Sequence, residues 1–185
     1  MFTVSNHLCK IELTAERLRE VLDYDKISGL FTWKYPINNR IKVGDIAGYI
    51  AQGYWRISVD GKTYLGHRLA WLYVTGEWPV LHIDHEDTNR SNNAFKNLRE
   101  ATVAQNHFNI GITASNTSGF KGVSWFNRTR KWRARITIEG CNKTIGYFET
   151  KEAAHEAYCQ AAVKHYGEFA NFGLRPAAQD ETRIE

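Results

Sequence analysis

The chain has little cysteine and no long apolar run. Its 185 residues include three cysteines, Cys9, Cys141 and Cys159, which are odd in number and far apart. This pattern excludes a disulfide framework and a paired-cysteine zinc ribbon, and it favours a reducing, intracellular setting. No apolar stretch approaches the roughly 20 residues that a membrane-spanning helix needs, so we expect a soluble protein.

The N-terminus lacks the pattern of a secretion signal. Glu12, Glu16 and Glu20 interrupt the only periodic segment there. A basic start, an apolar stretch and a small-residue cleavage site do not occur together in this region. Secretion is therefore not expected.

Net charge is also low, but it is unevenly distributed. The chain carries a formal charge of +4. Residues 1–106 have 13 Lys and Arg against 12 Asp and Glu, whereas residues 107–172 have nine against five. Six basic residues and no acidic residue lie between Asn116 and Thr137. A locally basic segment of this kind is typical of a surface that binds anions such as nucleic acids.

The first half of the chain predicts short helices and antiparallel strands. Apolar residues in 12–22 are spaced as in a helix, with Thr14 as the expected N-cap. A second helix is expected from His67 to Val74 and should end near Gly76. The Asp60-Gly61 pair signals a hairpin turn. Strands are expected at 29–33, 46–49, 54–59 and 62–65.

The second half predicts a small sheet and one helix. Residues 107–118, rich in Asn, Ser, Thr and Gly, are expected to link two domains, 1–106 and 119–172, with a tail over 173–185. Strands are expected at 120–125, 131–138 and 143–148. A helix should follow, capped by Thr150 and running to about His165. Alternation along Lys131–Ile138 places Ala134 and Ile136 on the face opposite Arg133 and Arg135. The fold class is α+β.

The densest cluster of reactive groups lies after Ile83. It contains the pairs Asp84-His85 and Asn92-Asn93, the tripeptide Asn97-Leu98-Arg99, and Asn106. Over about residues 62–109 this pattern resembles the ββα-metal motif of HNH endonucleases, especially phage homing endonucleases. The resemblance implies an N-terminal ββα-metal nuclease domain, extended by additional short antiparallel strands.

The same resemblance implies roles for these residues. His85 would be the general base, and Asp84 and Asn106 would bind a single divalent metal ion. Imidazole is the side chain whose ordinary pKa best suits deprotonation of water near neutral pH. Oxygen ligands favour Mg²⁺ or Mn²⁺ over zinc. In supporting roles, Asn93 and Asn97 would hold the intervening loop, and His67 would contact phosphate or cap the core of the motif.

The C-terminal third resembles the plant-type AP2/ERF DNA-binding domain. The similarity lies in Gly119-Phe120-Lys121-Gly122-Val123, the basic strand, Ile145–Thr150, the alanine-rich helix and Ala170-Asn171-Phe172. It implies a three-stranded antiparallel sheet, packed on one helix, that binds double-stranded DNA. The residues expected to contact DNA are Lys121, Ser124, Phe126, Arg128, Arg130, Arg133, Arg135, Thr137, Lys143 and Tyr147.

Together the two resemblances predict a metal-dependent DNA endonuclease, of a nicking or homing type, that the C-terminal sheet directs to its target. We expect a monomer without an obligate protein partner, in the cytoplasm of a bacterium or a phage-infected host. Two alternatives stay open, namely a catalytically silent DNA-binding regulator and a nuclease that acts on RNA.

Overall fold

The structure is a computed structural model that describes residues 12–35 and 40–173. Cys9 lies outside these ranges. The described chain is a mixed α and β structure with small antiparallel sheets, and none of its helices is long and apolar enough to cross a membrane. In chain order its elements are α1 Ala15–Val21, β1 Leu22–Tyr24, β2 Phe31–Trp33, β3 Tyr49–Ala51, β4 Tyr54–Val59, β5 Lys62–Leu65, α2 Gly66–Thr75, β6 His82–His85, β7 Leu98–Ala101, α3 Val103–Phe108, β8 Val123–Phe126, β9 Lys131–Ile138, β10 Cys141–Phe148 and α4 Lys151–Tyr166.

The chain divides into two compact units. Of the described residues, the first unit contains 12–35, 40–83 and Arg90–Leu98, and the second contains Asp84–Asn89 and 99–173. In this division α3 and the buried Asn109 belong to the same unit as the C-terminal sheet. The predicted domain boundaries at residues 106 and 119 stay a prediction. The role of residues 107–118 as a linker stays a prediction.

In the first unit, short elements surround one apolar core. Strands β1 and β2 pair, β3, β4 and β5 form a three-stranded sheet, and the largest fully buried apolar side chains are Phe31, Leu18, Leu22, Ile57, Leu69 and Leu72. Helix α1 begins behind Thr14, whose Oγ1 accepts a hydrogen bond from the Arg17 amide at 3.2 Å, as predicted. The Asp60-Gly61 turn is confirmed by left-handed φ values of 49° and 76°.

One strand of this unit starts later than predicted. The pattern placed it at 46–49, whereas β3 begins at Tyr49 and Ile46 makes only an isolated bridge to Thr32. Gly48, at φ 93°, interrupts the extended backbone, and a Cβ there would lie 2.4 Å from the Arg56 carbonyl oxygen. Glycine therefore permits a close approach to β4 that breaks the strand.

The second unit contains a sheet of order β10-β9-β8 with α4 packed on one face. Ala134 and Ile136 of β9 are buried with Ala154, Tyr158 and Ala162 of α4, which confirms the predicted alternation. Thr150 caps α4, its hydroxyl accepting from the Ala153 amide at 3.2 Å. The opposite face of β9 therefore presents Arg133 and Arg135.

Gly122 offers a test of this packing. Its φ is 74°, and a Cβ would lie 2.2 Å from the Tyr158 ring, whereas Gly140, at φ 76°, has open space around it. Gly122→Ala should lower the free energy of unfolding by about 1–3 kcal/mol more than Gly140→Ala, since it adds overpacking to the shared backbone strain. Thermal or denaturant unfolding of both variants measures this, and equal losses would contradict the packing.

Candidate active site

Strand β6 ends at His85, with both Asp84 and His85 buried at 4% and 5% exposure. The chain then turns, and the Thr88 amide donates to the His85 carbonyl at 2.9 Å. Thr88 adopts φ 63°, a conformation that a β-branched residue rarely takes and that proteins concentrate at functional sites. The Asp-His pair thus lies at a strand end that leads into a strained turn.

The Asp84 carboxylate forms a buried ion pair with Arg99 of β7. Arg99 Nε and Nη2 both lie 3.0 Å from Asp84 Oδ2, and the two side chains are 18% and 5% exposed. Arg99 Nη1 also donates to the Glu168 carbonyl at 2.8 Å, and its guanidinium lies 4.0 Å from the centre of the Phe169 ring. Pairing of this kind offsets the cost of burying the Asp84 charge.

Asn109, which follows α3, is the second partner of Asp84. Its Nδ2 lies 3.1 Å and 3.0 Å from the two carboxylate oxygens and 2.7 Å from the His85 carbonyl oxygen. Asn109 itself is 5% exposed. One amide group therefore fixes both the carboxylate of Asp84 and the backbone of His85.

Asn106 lies on α3, a six-residue helix that begins with a reciprocal capping box between Thr102 and Gln105. The backbone amide of Asn106 donates to the Thr102 carbonyl at 3.0 Å. Its half-buried side chain makes no hydrogen bond to any residue that the structure describes. Metal binding by Asn106 stays a prediction.

The predicted supporting residues belong to the first unit. Asn97 Nδ2 donates to the Asn92 carbonyl at 2.9 Å, and the Asn93 carbonyl accepts from the Tyr24 hydroxyl at 2.6 Å. His67 is buried on α2, with its ring 5.5 Å from that of Tyr54. The loop around Asn93 and Asn97 is thus held by amide and carbonyl groups. His82, at the start of β6, is exposed.

A groove of about 540 Å³ in the second unit is lined by residues of α3, β8, β9 and α4. Five of the predicted DNA-contacting residues line it, namely Lys121, Ser124, Arg133, Arg135 and Thr137, with His107 and Phe108 from α3. The other five, Phe126, Arg128, Arg130, Lys143 and Tyr147, are not among its lining residues. Arg133 stacks on Phe126 at 4.8 Å, and its buried Nε has no hydrogen-bond partner in the described chain.

A family model described as HNH endonuclease matches residues 64–108, which include β6, β7 and α3. "Uncharacterized HNH endonuclease L560" of Acanthamoeba polyphaga mimivirus is 33% identical over 139 residues, which are 74% of this chain and 69% of that protein. The chain belongs to the HNH endonuclease family. It is therefore a nuclease, and the family implies DNA as its substrate.

Two other relatives match shorter stretches of this HNH endonuclease. "Protein 3.8" of Escherichia phage T7 is 36% identical over 107 residues, 57% of this chain and 88% of that protein. "APETALA2-like protein 2" of Oryza sativa subsp. indica is 37% identical over 68 residues, 36% of this chain and 16% of that protein. No solved structure gives a significant match.

HNH nucleases generally use a divalent metal ion, and the donor groups at Asp84 suit a hard cation. Oδ2 accepts hydrogen bonds from Arg99 and Asn109, whereas Oδ1, among the residues that the structure describes, accepts only from Asn109 and keeps a lone pair. Within residues 12–35 and 40–173, no three His, Cys, Asp or Glu side chains gather around a common point.

The sequence alone did not identify Asn109 as a site residue. It lies three residues after Asn106, about one helical turn, which is the only local signal that could have indicated it. Arg99 belongs to the Asn-Leu-Arg tripeptide of the motif, but its pairing with Asp84 joins residues 15 positions apart. Only the folded chain shows these two contacts.

Lys121 gives the groove a measurable pH dependence. Burial lowers the pKa of Lys121 from 10.5 to about 8, and its Nζ donates to the Phe108 carbonyl at 2.7 Å. Between these two pH values the unfolded chain binds more protons than the folded one, so Lys121 makes the free energy of unfolding rise with pH. Below pH 8 the burial of its charge opposes folding.

We therefore expect Lys121→Met to gain stability relative to the native chain at pH 7. By pH 9.5 it should lose a large part of that advantage, and the rest disappears only above the ordinary pKa of 10.5. Thermal unfolding at both pH values measures the difference, with Lys143→Met, at an exposed position, as the control. A difference between native chain and Lys121→Met that is the same at both pH values would contradict the burial of the ammonium group.

Proposed function

We propose that this protein is a metal-dependent endonuclease of double-stranded DNA, with Asp84, His85 and Asn106 as its hydrolytic site and the C-terminal sheet as its targeting surface. The observation that supports the proposal is the buried Asp84-His85 pair at the end of β6, held by Asn109 next to α3. Strands β6 and β7 followed by α3 would form the ββα-metal arrangement.

In this proposal each group has a separate task. His85 accepts the proton of the attacking water, while Asn109 holds the His85 backbone through the carbonyl group. Asp84 and Asn106 would hold a Mg²⁺ or Mn²⁺ ion, which supplies positive charge for the phosphoryl oxygens. Arg99 limits the movement of Asp84 Oδ2 and leaves Oδ1 for the cation.

The basic face of the sheet would select the site of cleavage. Arg133 and Arg135 line the groove that also contains His107, the residue after Asn106. Guanidinium groups bind phosphates or pair bidentately with guanine edges. The resemblance of Gly119–Val123 and the basic strand to the AP2/ERF DNA-binding domain, together with the partial similarity to an APETALA2-like plant protein, supports a DNA-binding role for the sheet. A single hydrolytic site cuts one strand per event, which favours nicking.

His85→Ala tests the hydrolytic site. The native protein with Mg²⁺ should convert supercoiled plasmid to nicked or linear DNA, and the variant should be about 10²- to 10⁴-fold slower because the general base is gone. Gel shift in EDTA should show unchanged binding. His165→Ala, at an exposed position on α4, is the matched control. Cleavage by His85→Ala at the native rate would remove His85 from the mechanism.

Arg133→Ala combined with Arg135→Ala tests the targeting surface. Loss of phosphate contacts should weaken DNA binding and reduce the slope of log affinity against log salt by about 1 per contact. Affinities at several salt concentrations in EDTA measure the slope. The control pair, Lys151→Ala with Lys164→Ala, removes the same amount of charge from α4 and should leave the salt slope unchanged. A slope that responds equally to both pairs would contradict a contact through the sheet.

A further inference from the structure

Both partners of the Asp84 carboxylate are held by one short segment near the C-terminus, residues 168–171. The Glu168 carbonyl accepts from Arg99 at 2.8 Å, and the Phe169 ring lies against the Arg99 guanidinium. Asn171 Nδ2 donates to the backbone carbonyl and the side-chain Oδ1 of Asn109, at 3.0 and 3.1 Å. The 168–171 segment thus reaches Asp84 by two separate routes.

The route through Asn171 has a fixed direction. Asn171 Oδ1 accepts from the Gly173 amide at 2.7 Å, so the nitrogen of its side chain must face Asn109. Asn109 Oδ1 accepts from that nitrogen, and its own Nδ2 therefore faces Asp84 and the His85 carbonyl. If the Asn109 amide were reversed, its oxygen would meet a carboxylate and a carbonyl oxygen, and the contacts would be repulsive.

The position of Asn171 is itself set by the helix that packs on the sheet. Its carbonyl accepts from the Tyr158 hydroxyl at 3.3 Å, and Tyr158, on α4, is 3% exposed. Phe169, two residues earlier, is 4% exposed. The 168–171 segment is therefore anchored in the same core that supports β9.

We infer that Asn171 is a positioning residue of the hydrolytic site, which acts through Asn109 to hold the Asp84 carboxylate and the His85 backbone. The inference rests on the proposed function, in which these two residues act on the metal and the water. It means that the C-terminal part of the chain completes the active site as well as binding DNA.

Asn171→Asp is the most selective variant. It keeps the size of the side chain and the acceptor for the Gly173 amide, but it loses the donor to Asn109. Loss of a group that orients a metal ligand typically costs about 10- to 100-fold, so kcat for plasmid nicking should fall by that factor with KM little changed. DNA affinity in EDTA should equal that of the native protein.

Asn116→Asp is the matched control. Asn116 also donates from Nδ2 to a backbone carbonyl, that of Phe120 at 2.8 Å, and accepts from a backbone amide, that of Gly119 at 2.8 Å. The same substitution there removes an equivalent bond from the same unit without a link to Asp84. It should leave kcat unchanged.

A double-mutant cycle separates positioning from general stability. If Asn171 acts through Asn109, the variant with Asn109→Ala and Asn171→Ala together should have the kcat of Asn109→Ala alone. Multiplied losses would overturn the inference. Should Asn171→Asp fail to fold, Asn171→Ala, which adds no charge, serves in its place.

A readout without metal or DNA completes the test. In an amide ¹H–¹⁵N spectrum in EDTA, the Asn109 side-chain resonances, identified by their loss in Asn109→Ala, should move in Asn171→Asp and stay in place in Asn116→Asp. Unmoved resonances, or full kcat in Asn171→Asp while His85→Ala is inactive, would overturn the inference and leave the proposed function intact. Native-rate cleavage by His85→Ala would instead overturn the proposed function.

Discussion

The site depends on the burial of one carboxylate. Asp84 is 4% exposed, and removal of an ionised carboxylate from water costs on the order of several kcal/mol unless it is paired and hydrogen-bonded. Arg99 supplies the opposite charge and Asn109 supplies the amide donor. These bonds fix the carboxylate in one orientation, so the fold itself orders the side chain.

The second unit joins the chemistry of the HNH motif to a basic sheet. Asp84–Asn89 and α3 are in this unit, together with β8, β9, β10 and α4, whereas Arg90–Leu98 belongs to the first. The stacking of Phe108 on Tyr166, with ring centres 3.9 Å apart, connects α3 to the end of α4. Tyr166 in turn bonds through its hydroxyl to the backbone of Thr137 on β9. Tyr166 therefore connects α3, the helix that carries Asn106, to strand β9 of the sheet.

Local features of the fold could be predicted because they depend on neighbouring residues. The caps at Thr14 and Thr150, the Asp60-Gly61 turn and the alternation of β9 each follow from a few adjacent side chains. The start of β3 could not be predicted, since it depends on the close approach of Gly48 to Arg56 on another strand. The burial of Asn109 could not be predicted either, since it depends on contacts with Asp84 and Asn171, which lie far from it along the chain.

The sequence by itself determined the residue types of the site and their spacing, and with them the family, because an Asp-His pair, an Asn-Leu-Arg tripeptide and a later Asn form a recognisable pattern. It also determined which strand is basic. Only the tertiary structure decided what holds Asp84. The bonds from Arg99, Asn109 and Asn171 join residues 15, 25 and 62 positions apart. Such contacts follow from how the elements pack together, which no local pattern of residues specifies.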